Sequence, residues 1–161
     1  MPNLSNEQLD GPKLHFIEGV AGLLLPWGVP PVAARLYGYL LLSDQPASLD
    51  EITAGLGVSK STASVAARLL ERYTLARRHR EPGTKRALYA VADNYEAMIG
   101  QQNRLLDALA DQMDAGFDVV GSNEAGVRLK RMAEFYRVMR SAMDDALSRW
   151  KQMKRRPNAL R

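Results

Sequence analysis

The apolar positions of the 161-residue chain recur first at Leu14, Phe16, Ile17, Val20 and Leu24. This is a helical stripe, opened near Asp10 and Pro12 and closed by Pro26-Trp27-Gly28. After Pro30 and Pro31 a second stripe, Val32, Leu36, Tyr39 and Leu40, leaves Arg35 off its face and ends at Ser43-Asp44-Gln45-Pro46. Ser48 and Glu51 then have the spacing of a capping box. They open a brief helix carried by Ile52 and Leu56, which Gly57 can stop in the left-handed conformation. Ser59 caps the next helix, carried by Ala63, Val65, Ala66, Leu69 and Leu70 and ending around Tyr73.

The period changes after that. Residues 75 to 81 and 86 to 91 are predicted as extended, with Pro82-Gly83-Thr84-Lys85 supplying a hairpin turn between them. From Asp93 the helical period returns, with Ile99, Leu106, Met113 and Val120 seven apart and Leu109 between them, until Gly121-Ser122-Asn123 breaks and recaps the chain. The last helix carries Leu129, Met132, Tyr136, Met139, Met143, Ala146, Trp150 and Met153 in alternating steps of three and four, a heptad seam. The Arg155-Arg156-Pro157 tail is expected to be disordered. The pattern thus predicts a mainly α fold: a winged helix-turn-helix with a two-stranded β-wing, plus N- and C-terminal dimerisation helices. The expected division is an N-terminal dimerisation helix and turn over residues 1–29, a DNA-binding module over 30–92, and dimerisation helices with a basic tail over 93–161.

Charge sharpens this picture. The net charge is only +4, but it is segregated: −4 over residues 1–59, +6 over 60–92, −4 over 93–148 and +6 over 149–161. A basic block between acidic ones is an electrostatic footprint for a polyanion. The absence of cysteine removes disulfides, thiolate zinc sites and thiol nucleophiles, and fits a cytoplasmic setting. Acids at Glu7 and Asp10 argue against an export signal. The charge-free run from Gly19 to Ala34 is interrupted by Pro26, Pro30 and Pro31 and is too short to span a membrane.

Three short helices followed by a basic hairpin place the cations where a winged module meets DNA. The amino-terminal residues of the recognition helix, Ser59, Lys60, Ser61, Thr62 and Ser64, lie nearest the base edges, and a small residue such as Ala63 lets that helix approach closely. Arg68 and Arg72 share a face one turn on and can grip the backbone. The hairpin adds Arg77, Arg78, His79 and Arg80 on one strand and Thr84, Lys85 and Arg86 at its turn, a cationic tip suited to the minor groove. The competing explanation for the arginine run is a charged strand edge that discourages aggregation.

The run Ser48-Leu49-Asp50-Glu51-Ile52, then Leu56-Gly57-Val58-Ser59-Lys60-Ser61, with Ser64, Arg68, Leu70, Pro82-Gly83-Thr84-Lys85-Arg86 and Tyr89, resembles the GbsR-like branch of the MarR superfamily. Arg35-Leu36-Tyr37-Gly38-Tyr39-Leu40-Leu41 is similar to the second helix of that branch. The match covers about residues 28 to 91. It implies a dimeric DNA-binding regulator whose interlocked terminal helices set two reading heads on a palindromic site, with a small ligand held between dimer helices and reading head.

The heptad seams point the same way, toward a homodimer with Phe16, Leu106, Met113, Leu129, Met132, Tyr136, Met139, Met143 and Trp150 at its interface. The alternative is that the seam packs on the chain's own body. Trp27, Tyr37 and Tyr136, with Trp150, are candidate effector-pocket residues through their aromatic faces, against a default role in the core. His15, beside Phe16, is expected to be packed, and with His79 far away no metal site is expected. Gly55-Leu56-Gly57-Val58-Ser59-Lys60-Ser61 is not a phosphate loop, because Val58 and Ser59 separate glycine from lysine. No catalytic constellation is present, so the chain is read as a non-enzymatic repressor of transcription that requires no cofactor, binds double-stranded DNA and makes no membrane contact. The alternative is a protein-interaction adaptor that uses the basic face for an acidic partner.

Overall fold

The computed structural model describes residues 9–155, which leaves the Arg156-Pro157 part of the tail outside the described residues. The chain forms two compact units, one ending at Asp93 and the other beginning at Asn94.

In the first unit, α1 (Gly11–Leu24) starts where the Asp10 side chain accepts the Lys13 amide at 3.0 Å, and a single 3-10 turn, Leu25–Trp27, leads to Gly28 at φ 82°. Helix α2 (Pro31–Leu41) packs on α1 so closely at Gly38 that an added Cβ would lie 3.0 Å from the Ile17 Cα. The strand β1 (Ala47–Ser48) runs into α3 (Leu49–Leu56). Its capping box is complete: the Glu51 amide donates to Ser48 Oγ at 3.2 Å and the Ser48 amide to Glu51 Oε2 at 2.7 Å. Gly57, at φ 65°, ends α3, and Ser59 caps α4 (Lys60–Arg72) by accepting the Thr62 amide at 3.1 Å.

Strands β2 (Ala76–Arg80) and β3 (Ala87–Val91) form the hairpin, and β1 pairs with the outer side of β3 through Ala47↔Tyr89 and Ser48↔Leu88. The sheet therefore has three antiparallel strands in the order β1-β3-β2, one more than the pattern predicts. Ile17, Leu36, Tyr39, Ile52 and Leu70 are the large fully buried side chains of this unit. The sharpest packing constraint is at Gly55, where a Cβ would sit 2.5 Å from the Tyr39 ring. The glycine is thus explained by the core and not by phosphate.

The second unit is an antiparallel pair, α5 (Tyr95–Val120) and α6 (Glu124–Lys154). Gly121 closes α5 at φ 71°, and Asn123 caps α6 by accepting the Gly126 amide at 2.9 Å. Any side chain at Gly126 would collide with the Gly121 carbonyl. Along the seam the buried positions are Asn103, Ala110, Gly126 and Ala133, and Asn103 Nδ2 donates to Asp144 at 3.1 Å. A polar pair in an apolar seam fixes helix register. Asp114 ties to Lys130 and Arg137, and Arg140 to Asp107 and Asp144.

The heptad seam of α6 divides in two. Leu129, Tyr136, Met143 and Trp150, seven apart, are half-buried: Leu129 packs on Gly116, and Trp150 meets Tyr95 edge-on at 5.6 Å. Leu106 and Met113 of α5 are likewise half-buried. Met132, Met139, Ala146 and Met153, the other seven-residue series, are exposed together with Phe135 and Val138. Alternating steps of three and four thus describe two neighbouring faces, of which the helical pair covers one.

Candidate nucleic-acid interface

The local chemistry of α4 sets one end of the site. Its buried face is Ala63, Ala66, Ala67 and Leu70, and small residues let the helix lie close against α2. Ala63 is fully buried, so its small size serves the core and not an approach to DNA, a correction to the sequence reading. Val65, counted there with the apolar face, is 59% exposed. The face left outside carries Ser61, Val65, Arg68 and Arg72, with Ser64 half-buried at its side.

At the helix start the hydroxyls satisfy one another, with Ser59 Oγ 3.0 Å from Ser61 Oγ and 2.8 Å from Thr62 Oγ1. Ser59 therefore acts as the cap, and Ser61 and Thr62 remain exposed around it.

An acidic residue not among the sequence candidates joins the helix to the wing. Asp50, in the first turn of α3, holds Lys60 Nζ at 2.9 Å and lies 3.8 Å from the Arg86 guanidinium. Arg86 also donates to Ser48 Oγ at 2.9 Å. The hydrogen bond and charge of Lys60, with Arg86 beside it, hold the Asp50 carboxyl below the usual carboxylate range. The amino terminus of α4 and the foot of the hairpin thus converge on one carboxylate. The signal for Asp50 in the sequence was only that of an acid in a helix's first turn, a common dipole effect.

The hairpin tip is organised by Thr84, whose hydroxyl donates to the Glu81 carbonyl at 3.3 Å and accepts the Arg86 amide at 3.1 Å, with Gly83 at φ 78°. Strand alternation puts Arg78 and Arg80 on one side of β2 and Arg77 and His79 on the other. Arg77 is anchored to Asp93 at 2.9 Å. Among the described residues Arg68, Arg72, Arg78, Arg80 and Lys85 have no carboxylate partner, and all five are exposed. The cations therefore form two groups: Lys60, Arg77 and Arg86 held by the protein, and five free to meet an anion.

The remaining candidates lie elsewhere. Trp27 is 86% exposed rather than in the core, and Tyr37 packs half-buried against the core. Tyr136, in the second unit, meets Phe135 edge-on at 5.8 Å. His15, expected to be packed, is instead on the surface, and Phe16 beside it is exposed. Within the second unit an apolar cleft of about 360 Å³ opens between Tyr95, Ile99, Met143, Leu147 and Trp150. The described residues contain no group of three potential metal ligands, and none of their helices is long and apolar enough to cross a membrane.

Residues 93–153 match the family model of MmpR5-like MarR family transcriptional regulators. A solved structure of a transcriptional regulator superposes with a TM-score of 0.77 at 26% identity, covering 88% of this chain and 99% of that one. Two curated relatives from Bacillus subtilis (strain 168) match over 81 residues, half of this chain. They are the putative HTH-type transcriptional regulator YvaV, 30% identical, and the HTH-type transcriptional repressor OpcR, 28% identical. The fold is that of a winged helix, and the proteins it matches are transcription regulators. The chain spans 46% and 44% of the two relatives' own lengths. In winged-helix terms α4 is the recognition helix and β2-β3 the wing.

Proposed function

We propose that this MarR-type chain is a sequence-specific DNA-binding repressor of the cytoplasm, in the GbsR-like branch, that occupies a palindromic operator as a homodimer. The observation that carries the reading is the shared Asp50 carboxylate. Through it the exposed, serine-capped start of α4 and the cationic hairpin belong to one surface. A helix amino terminus favours an anion, the unpaired arginines supply phosphate contacts, and Ser61, Thr62 and Ser64 supply donors and acceptors for base edges.

The exposed series Met132, Met139 and Met153 with Phe135 supports self-association, since an uncovered apolar stripe on a long helix fits a second copy of the same stripe. Paired recognition helices then lie roughly 34 Å apart, one helical turn of DNA. The apolar cleft between Tyr95 and Trp150 supports control by a small hydrophobic effector.

Gel-shift titration against the DNA upstream of the chain's own gene, with bulk competitor DNA added, tests the reading. A complex that survives competitor is expected, and Ser61→Ala is expected to change which half-site sequence is preferred. Binding that competitor abolishes would overturn the reading in favour of an adaptor for an acidic protein.

A further inference from the structure

We propose that Val65 reads the C5-methyl group of a pyrimidine in the major groove, and so fixes one base pair of each half-site. The inference rests on the DNA-binding reading of α4 and adds the chemistry of one contact to it. Residues 61, 65, 68 and 72 are spaced four, three and four apart and fall on one helical face, which is exposed throughout. Three of these four positions have obvious partners on a duplex: a hydroxyl near the helix start for base edges or phosphate, then two arginines without carboxylate partners for the backbone.

Val65 does not fit those roles. It has no donor for phosphate and no acceptor for a base amine. As a β-branched residue in a helix it gives up rotamer freedom, and at 59% exposure it gains little burial in return.

Its place in the helix decides what it can meet. Val65 lies one turn beyond Ser61 and one turn before Arg68, between the end of α4 expected nearest the bases and the arginines suited to the backbone. The only apolar group that base edges present in the major groove is the methyl at C5 of thymine, or of 5-methylcytosine, and the minor groove presents none. Val65 also lines a mostly apolar groove of about 300 Å³ together with Pro30, Val32, Leu69, Ser61 and Thr62. Apolar surface therefore continues from α2 onto the reading face, and a methyl docked there is shielded on its protein side.

The test uses the full chain and the sequence it selects from genomic fragments. Each thymine of a half-site is replaced in turn by deoxyuridine, which deletes only the methyl, and each cytosine in turn by 5-methylcytosine, which adds it. For the wild-type chain, uracil at one position is expected to lower affinity roughly fourfold per half-site, the value of one buried methyl. Val65→Ala should bind the thymine duplex with the same loss and be indifferent to uracil there, whereas Val65→Thr, which keeps one methyl, should retain the discrimination. If the natural contact is to a modified base, the uracil scan is silent and 5-methylcytosine raises affinity about fourfold at one position, again only when Val65 is present. An equal uracil effect in the wild type and Val65→Ala would overturn the proposal, as would the absence of any methyl effect or a uniform loss for all sequences in Val65→Ala. A wild-type chain that selects no sequence would instead remove the DNA-binding reading itself, and this proposal with it.

Discussion

Replacing Asp50 by asparagine removes one negative charge from the centre of the reading surface and little else. The amide oxygen still accepts from Lys60 Nζ, now 2.9 Å from the carboxylate, and the Ser48–Glu51 capping box that starts α3 is untouched. In the wild type this carboxylate partly neutralises Lys60 and Arg86 before any DNA arrives. In Asp50→Asn the charges of both cations are no longer compensated by a carboxylate, and both can displace counterions from phosphate. Each additional neutralised phosphate steepens the slope of log affinity against log salt by about 0.9, so the slope should become more negative by up to about 1.8. Between 50 and 200 mM salt that amounts to an extra loss of about twelvefold, with the variant binding more tightly than wild type at the low-salt end. Fluorescence anisotropy with one labelled duplex across that range measures it directly. Non-specific duplexes should gain as much as the selected site, because the added contacts carry no sequence information. An unchanged or shallower slope would refute the reasoning, since it would mean that Lys60 and Arg86 do not approach phosphate once freed.

Other consequences follow from the same structure. Phe135→Asp combined with Met139→Asp puts two charges on the exposed stripe of α6 and should weaken self-association by at least about tenfold in sedimentation, without loss of helical signal. Gly55→Ala forces a methyl into the Tyr39 ring and should destabilise the first unit by about 1–3 kcal/mol in chemical denaturation. The Tyr39 hydroxyl is buried without a hydrogen-bond partner among the described residues, and burial, with Glu51 adding to it, pushes its pKa up to about 12. The folded state therefore holds this proton more tightly than the unfolded chain, and stability falls as pH rises from about 10 toward 12. Tyr39→Phe, neutral or slightly stabilising at pH 7, should escape that loss and gain about 1 kcal/mol on wild type by pH 11.

What the sequence discloses is what depends on near neighbours. Asp10, Ser48 with Glu51, Gly57, Ser59 and Asn123 each act on a backbone group within a few positions, and every one performs the capping or stopping role its spacing predicts. Features made by distant parts of the chain are illegible. The strand Ala47–Ser48 has no β-branched or aromatic residue to announce it and exists because Tyr89 and Leu88 present an unpaired edge.

The hydrophobic pattern places Val65 on the apolar face because valine outranks alanine in any such pattern. Close packing of α4 on α2 instead selects the alanines at 63, 66 and 67 for the inside. The α6 seam contains two seven-residue series, and the pattern alone does not say which one the chain itself covers. Asp50 was visible as a helix-start acid, but its two cationic partners come from ten and thirty-six residues downstream.

The central claim is that the start of α4 and the cationic hairpin contact one duplex together. Footprinting of the selected fragment, with hydroxyl radical for the minor-groove sugars and dimethyl sulfate for guanine N7 in the major groove, comparing the wild type with Arg78→Ala/Arg80→Ala, tests it most directly. The account predicts that the wild type protects a central major-groove segment and flanking minor-groove sugars in each half-site, and that the variant loses only the flanks. Flanking protection that survives in the variant, or central protection that vanishes with it while the fold is intact, would contradict it.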